Sequence, residues 1–421
     1  MSSFPRLPPS GITVIIVGAG FAGLGAAIEC DRKGHSVILL EKSDEIEQLQ
    51  RVGDIISFDP NASQLLKRWP GVWEALWPIT RHAEVFDMHA WTGELLTQQS
   101  FKWENENWGP RLSGHRGEMH AAIYSHAKDR GIDIRLGSRV TDYFETDEEA
   151  GVVVNGQRLA ADVVFAAEGV RSPGRKLVLG FEDKPLSSGY AVYRAWFPAE
   201  RLRNNDITKH LVSNGDWMGG WVGPDLHFLC SCLKDGNDFN WAYTHKDLAD
   251  IDESWQFPGT VEEALANLDG WSPVVREIVK ATPDGRLIDH KLVYRDTLPT
   301  FTSPKARIAL IGDAAHPFLP TSIQGAGQAL EDGVTLAITL ELSGKGKVPQ
   351  AVKAYEKIRY DRVKEAQAQG VRTRERWHKA DWDEVRKDPT RLHLVREAWL
   401  LDFDAEKHAY AVFGDVVKGA L

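Results

Sequence analysis

The spacing of apolar residues changes several times along the chain, and each change marks a new element. Residues 12–17 form an unbroken apolar run between turn residues, the pattern of a strand buried on both faces in a parallel sheet. Residues 21–33 predict a helix whose early turns carry Gly23, Gly25, Ala26 and Ala27. Its backbone can therefore approach a sheet or a ligand closely, and Gly34 ends it. Residues 36–40 predict a second strand ending at Glu41. In residues 118–130, Met119, Ala122, Ile123 and Ala127 make the stripe of a one-sided helix, closed by Gly131 and followed by a strand from Ile132. Short strands over 151–154, 158–159 and 163–167, with a turn at Asn155-Gly156, extend this first domain.

From about Ser187 to Tyr243 the texture becomes aromatic-rich and strand-length, at residues 190–197, 210–212, 218–222 and 227–233, broken by Gly, Pro, Asn and Asp. Such pieces predict an antiparallel sheet forming a separate wall. Residues 307–311 return to the buried-strand pattern, residues 328–342 and 352–369 read as helices, and further helices follow from Arg372. The chain thus leaves its first domain and comes back. The predicted class is α/β, with a discontinuous first domain over 1–180 and 290–370 and an inserted, mainly antiparallel β-sheet domain over 181–289. Part of 75–110 contributes to the inserted sheet, and 371–421 is a C-terminal helical segment.

With 421 residues the chain suits two or three interleaved domains. Its net charge of −10, and the lack of a dense Lys/Arg cluster, exclude a phosphate-tracking surface, so no nucleic-acid partner is expected. Cys30, Cys230 and Cys232 make no disulfide framework, and a lone Cys-x-Cys without nearby His is no zinc site, so no metal is expected. The first eleven residues lack the basic and apolar regions of a signal peptide, and no run approaches the ~20 apolar residues of a membrane helix. A cytoplasmic location is the resulting expectation. A homodimer is the oligomer expected from the commonness of that symmetry.

Two glycine-containing turns carry the chemistry. Gly18-Ala19-Gly20-Phe21-Ala22-Gly23 stands between the first strand and the first helix, the order a dinucleotide fingerprint requires. Gly18 serves the tight turn, Gly20 the close approach of a pyrophosphate, and Gly23 the packing of the helix; amides at the helix start hold the anion. Glu41 closes the second strand, where a carboxylate accepts ribose hydroxyls. Far downstream, Gly312-Asp313-Ala314-Ala315-His316-Pro317-Phe318-Leu319-Pro320 follows another buried strand. There Asp313 is placed to accept a hydrogen bond from a polyol, and Pro320 stiffens the approach to a helix. Gln324-Gly325-Ala326-Gly327-Gln328 opens that helix, whose amides and dipole suit the negative edge of a reduced flavin. A nicotinamide-only domain completes its phosphate site in one βαβ unit. One FAD spanning both turns accounts for two of them.

Together these residues resemble the single-component FAD-dependent aromatic monooxygenases (class A flavoprotein hydroxylases), particularly the salicylate-hydroxylase-like branch, through most of the chain. The family's signatures map onto Gly18-Gly20-Gly23, onto residues 161–172 including Glu168, and onto Gly312-Asp313 through Pro320. Further matches are Gly53 with Pro60-Asn61-Ala62, His115-Arg116, and Tyr355-Glu356 with Arg359 and Arg362. The resemblance implies a Rossmann-like FAD-binding domain around the inserted sheet. Glu41 and Lys42 would contact the adenosine part, Arg116 the phosphate or ribityl region, and Asp313 the ribityl chain. Gly325, Ala326 and Gly327 would lie beside the ring. Lys42 stands where the family usually has Arg, Glu168 where it has Asp, and Gly327 where many members have Asn or Thr. The implied reaction uses NADPH or NADH to reduce FAD; oxygen then forms a C4a-hydroperoxide that hydroxylates or epoxidises a small aromatic substrate.

Catalytic candidates come from the wall and from the loop after the second strand. Tyr193-Arg194 resembles the family's Tyr-Arg pair, with Arg194 suited to a carboxylate or phenolate; strand Tyr and Arg residues equally pack or pair. Tyr190 is a weaker candidate. Ser231 falls where some relatives carry a phenolate-binding Tyr. His227 is a candidate base, against a structural hydrogen-bonding role, and Asp54 is a candidate on the flavin's reactive side, against a loop-capping role. His316 falls near the flavin by position or holds a loop. Trp217 and Trp221, and Trp91, Trp103 and Trp108, line a planar-substrate pocket or pack a core. A flavin oxidase or dehydrogenase without oxygen insertion, and a non-catalytic flavin-binding module, remain open alternatives.

Overall fold

In the computed structural model, residues 6–47, 54–102, 110–183, 186–247 and 257–419 are described. Four largely apolar runs and a polar edge strand form a five-stranded parallel sheet, in the order Ile308–Leu310, Val163–Ala166, Thr13–Val17, Ser36–Leu40, Asp133–Arg135. Val14, Ile15 and Ile16 are wholly buried, as a strand covered on both faces must be. The helices Phe21–Arg32 and Gly325–Ser343 cross backbone to backbone. A Cβ on Gly333 would lie 2.7 Å from the Ala26 backbone, and one on Gly25 would lie 2.5 Å from Leu330. Small residues therefore lock together the two helices that begin at the two glycine-containing turns.

Residues 151–154 and 158–159 belong to a second, three-stranded antiparallel sheet of Val140–Glu145, Ala150–Val154 and Gln157–Ala161. Asn155 and Gly156, with φ of 51° and 75°, make the tight turn. Of the three short predicted strands, Val163–Ala166 alone joins the parallel sheet.

The wall is an eight-stranded sheet ordered Phe257–Pro258, Ile288–Tyr294, Leu186–Pro198, Asp238–Lys246, Leu226–Leu233, Trp217–Gly223, Val85–Ala90, Leu95–Ser100. Its pairs are antiparallel apart from Trp217–Gly223 with Val85–Ala90. The strand Ile288–Tyr294 runs across position 290 and pairs wholly within the wall. One face packs Tyr193, Phe228, Trp241 and Tyr243 beneath the helices Val261–Ala266 and Pro273–Lys280. The opposite face meets the first domain through Arg194 and Asp54, and the C-terminal segment through Met218, Val222 and His227 against Trp377.

Residues 210–212 are not a strand: Lys209–Leu211 is a single 3-10 turn. The Asn205 side chain accepts the Ile207 amide and its carbonyl accepts the Lys209 amide, so the backbone bonds locally while Leu211 and Val212 reach the wall's core. The helix predicted over 352–369 runs instead over Val348–His378. Its last polar turns stay helical because Trp377 is buried against Leu392 and Leu394. The helix Ala405–Lys418 docks back on the first domain, where Arg68 Nη1 and Lys33 Nζ lie 2.6 and 2.9 Å from Glu406. Among the described residues no helix is long and apolar enough to cross a membrane.

Candidate functional site

At the first turn, Gly18 has φ 103°, and a Cβ there would meet the Ala167 carbonyl oxygen at 2.5 Å. A Cβ on Gly23 would fall 1.8 Å from the Gly18 oxygen, whereas one on Gly20 would meet nothing within 4 Å. Gly18 and Gly23 are thus fixed by the fold itself, and Gly20 faces open space at an uncapped helix start. Glu41, buried, accepts the amides of Ala19 and Ser43, each at 2.9 Å, and so braces the turn through the edge nearest it. Lys42 is exposed. His120, which sequence reasoning missed, is buried and lies 2.7 Å from the Ala19 carbonyl through Nε2. Half-buried Arg116 makes no ion pair among the described residues, and its guanidinium lies 5.8 Å from the centre of the Phe21 ring.

The downstream motif is held from behind. Asp332, fully buried, accepts the Gly312 amide at 2.9 Å, lies 2.6 Å from His316 Nε2, and accepts Arg359 Nε at 2.9 Å. His316 therefore has the loop-holding role. Glu331 beside it takes Arg362 Nε at 2.8 Å and Asn61 Nδ2 at 2.7 Å, and also pairs with Arg359. Burial would raise both carboxyls, but His316 and Arg359 at Asp332, and Arg362 and Arg359 at Glu331, outweigh it and hold both below the usual range. Asp313 differs. Burial raises its carboxyl above the ordinary value, and the carboxylate makes no hydrogen bond among the described residues.

Arg175 ties this motif to the Glu168 segment, donating from Nε to the Ala314 carbonyl at 2.7 Å and from its Nη atoms to the carbonyls of Asp313 and Val170. Desolvation pushes Glu168 up to about 7; its oxygens accept the hydroxyls of Ser172, at 2.7 Å, and Tyr143. Pro320 is exposed at the start of a 3-10 turn. That turn leads into the helix Gly325–Ser343, whose N-terminus has no side-chain cap. The amides of Gly325, Ala326 and Gly327 are among the four donors that such an end leaves unsatisfied.

Strand register decides which wall residues face these turns. Arg194, Ala242 and Leu229 lie in one row, and Val192, Thr244 and His227 in the next row on the same face. Arg194, buried, forms an ion pair with Asp54, whose side chain keeps 26% of its exposure. Two candidates separated by most of the first half of the sequence are thereby brought together. Tyr193, one residue along, points to the other face, stacked 4.2 Å from His245 and buried in the far core, so it is not brought together with Arg194. His227 shares the face but lies two strands over and one pleat along, roughly 12 Å away by sheet spacing. Its Nδ1 is 2.7 Å from His378 Nε2, and burial lowers it well below the ordinary imidazole range, leaving it neutral. Tyr190 packs its ring 4.9 Å from His378.

Ser231 accepts Arg81 Nη1 at 3.0 Å. Trp91, Trp217 and Trp221 pack with the far core, and Trp103, Trp108 and Gly53 lie outside the described residues. On the near face stands Trp196, unforeseen from sequence, edge-on to His115 at 4.9 Å. Among the described residues no group of three or more His, Cys, Asp or Glu side chains is gathered for a metal.

The FAD binding domain family matches residues 11–369. The asperlicin C monooxygenase of Petromyces alliaceus is 37% identical over 98% of this chain and 90% of its own. The chain is an FAD-dependent monooxygenase of this family. The monooxygenase also superposes on the crystal structure of CtdE in complex with FAD and substrate 4, at 37% identity and a TM-score of 0.90 over 97% of this chain and 99% of that one. A salicylate hydroxylase substrate complex shares the fold, with a TM-score of 0.78 at 24% identity over 95% and 97% of the two chains.

The residues of this monooxygenase fit a bound FAD. Among the described residues, Gly20 faces open space, Arg116 makes no ion pair, the Asp313 carboxylate accepts no hydrogen bond, and the helix at Gly325 has no side-chain cap, so donors and acceptors suited to a dinucleotide stand ready at both turns.

Proposed function

We propose that this monooxygenase uses NADPH or NADH and hydroxylates or epoxidises a small aromatic substrate bound between the wall and the second turn. Bound FAD supplies electron transfer and oxygen activation. We assign its contacts to Gly18, Gly20, Gly23, Glu41, Lys42, Arg116, Glu168, Asp313, Pro320, Gly325, Ala326 and Gly327. Glu41 acts in part by holding the Ala19 amide in place.

The Asp54–Arg194 pair carries the reading of the substrate side. A buried guanidinium on the central wall strand meets a partly exposed carboxylate on a loop of the first domain. Arg194 orients an oxygen acceptor of the substrate, and Asp54 accepts a proton from it or surrenders Arg194 to it. Leu229, Ala242 and Val192 make that face apolar and exclude water, which protects a reactive oxygen donor from discharge. The amides of Gly325 to Gly327 stabilise negative charge near the reacting centre.

Nicotinamide consumption by the purified holoprotein, with NADPH and NADH in parallel across aromatic acids, phenols and indoles, tests this reading. One atom of label from oxygen-18 gas is expected in the product. Substrate oxidation without label would establish the oxidase alternative. Flavin reduction that no substrate stimulates would favour the non-catalytic one.

A further inference from the structure

On the same side of the wall, apart from the Asp54–Arg194 pair, three guanidinium groups converge on one ring. Arg81, Arg111 and Arg396 lie 5.9, 4.6 and 4.9 Å from the centre of Phe101. Arg81 keeps 5% of its exposure, and the side chains of Arg111 and Arg396 keep 6% and 7%. Buried Asp59 lies 2.7 Å from Arg111 and 3.6 Å from Arg396. Arg81 stands outside ion-pair range of every carboxylate among the described residues, and its buried Nε has no partner there. Burial, then the charge of Arg111, pushes Arg81 down to about 9 and Arg396 to about 8.

A small cavity opens beside Arg111 and Arg396, bordered by Asp59 and by the hydroxyl-bearing Thr321, Ser322 and Thr373. It lies at the foot of the helix assigned to the flavin ring, because Asp59 accepts Gln324 Nε2 at 3.1 Å and Gln324 is that helix's N-cap residue. Ile323, which also borders it, has φ 58°, a left-handed conformation rare for a β-branched residue and concentrated at ligand clamps. Arg81 does not border the cavity itself; it donates to Ser231 of the wall at 3.0 Å and adds its charge from behind Phe101.

We propose that this cluster is a substrate-recognition subsite for an sp² oxygen acceptor, a carboxylate or an amide carbonyl, carried by the substrate at a distance from the ring that is oxygenated. Planar guanidinium forks present paired donors to such oxygens, and Asp59 holds the Arg111 fork in place. The inference rests on the substrate reading above, since it places the far end of a molecule whose ring lies at the flavin. It differs in depending on Arg111 and Arg396, with Arg81 reinforcing their field, and not on Arg194.

The test is binding to the holoprotein without nicotinamide, so that turnover is silent and its failure cannot be confused with failure of the reaction. Indole-3-acetate, indole-3-acetamide and indole are titrated by flavin difference spectra and calorimetry against native protein, Arg81→Met, Arg396→Met and Arg396→Lys. The native protein should bind the acid or the amide at least tenfold more tightly than indole, and the preferred one identifies the acceptor. Arg396→Met should lose that advantage and Arg81→Met should reduce it, both with flavin content unchanged. Arg396→Lys, which keeps the charge and is the safer variant for folding, should lose part of it through loss of the fork. Equal affinity for all three ligands in the native protein would overturn the proposal. So would an unchanged advantage in the variants, and a lowered Tm with unchanged binding would assign the cluster to structure.

Discussion

Asp332→Asn isolates the support behind the second cofactor turn. The native carboxylate accepts from the Gly312 amide and Arg359 Nε, and its Oδ2 also faces His316 Nε2 at 2.6 Å. Asn keeps one acceptor oxygen, but its amide group must then point at a donor on one side or the other. Arg359 also loses one of its two carboxylate partners inside a fully buried site. Breaking one member of a buried charge network costs about 3–5 kcal/mol, and at roughly 1 °C per kcal/mol for a chain of this size the Tm should fall by about 3–6 °C. The measurement is thermal unfolding at saturating FAD, since cofactor binding raises Tm by itself, with the flavin-to-protein ratio determined after desalting. Both Tm and flavin content should fall, because Gly312 and Asp313 lose their anchor. The pH dependence has a fixed sign. Asp332 is held below its unfolded value, so its stabilisation is present above about pH 4 and is lost as pH falls through the lower folded value. The gap between native and variant Tm should accordingly narrow on acidification. A variant within 1 °C of native at pH 7 (roughly 1 kcal/mol or less), with full flavin content, would refute the reasoning.

Two glycine substitutions should part company. Gly20→Ala meets no neighbour and should leave the fold intact while weakening FAD binding at least tenfold by equilibrium dialysis. Gly23→Ala collides with the Gly18 carbonyl and should fail to accumulate as folded protein; equal flavin affinity in a folded Gly23→Ala protein would contradict the turn geometry. Arg194→Ala should cut coupled oxygenation at least tenfold with flavin content unchanged. In a double-mutant cycle with Asp54→Asn the two losses should be non-additive, and strict additivity would separate the pair. Glu168, with its folded value raised to about 7 from an ordinary 4.5, ionises at a penalty in the folded protein. Its contribution therefore falls as pH rises across that window and is flat above it. Glu168→Gln should flatten that stretch of the Tm–pH curve, and an unchanged slope would remove Glu168 as its source.

The parallel sheet was legible because strands buried on both faces are written as unbroken apolar runs, as residues 12–17 and 163–166 show. Its cofactor turns were legible because each lies within a few consecutive residues. The wall was legible as texture, although the local bonding at Asn205 turned 210–212 into a 3-10 turn. Side-chain direction was available but unused: alternation along a strand sends Tyr193 and Arg194 to opposite faces, so the adjacent pair was never a pair in space. Arg81, Arg111 and Arg396 come from three separate segments and meet only through the fold. Trp196 likewise shows its role only once the register is known, and His120 only once its helix lies behind the first turn.

The crossing of Gly25 and Ala26 with Gly333 also sets an order of assembly. A ribosome releases the first turn early, but the surface that backs it is made some 300 residues later, after the whole wall has emerged. Such a contact closes slowly because a long loop must be ordered before it forms. The nascent chain therefore carries half a cofactor cradle with its small-residue helix face uncovered. FAD capture waits for the second turn and the helix that it opens.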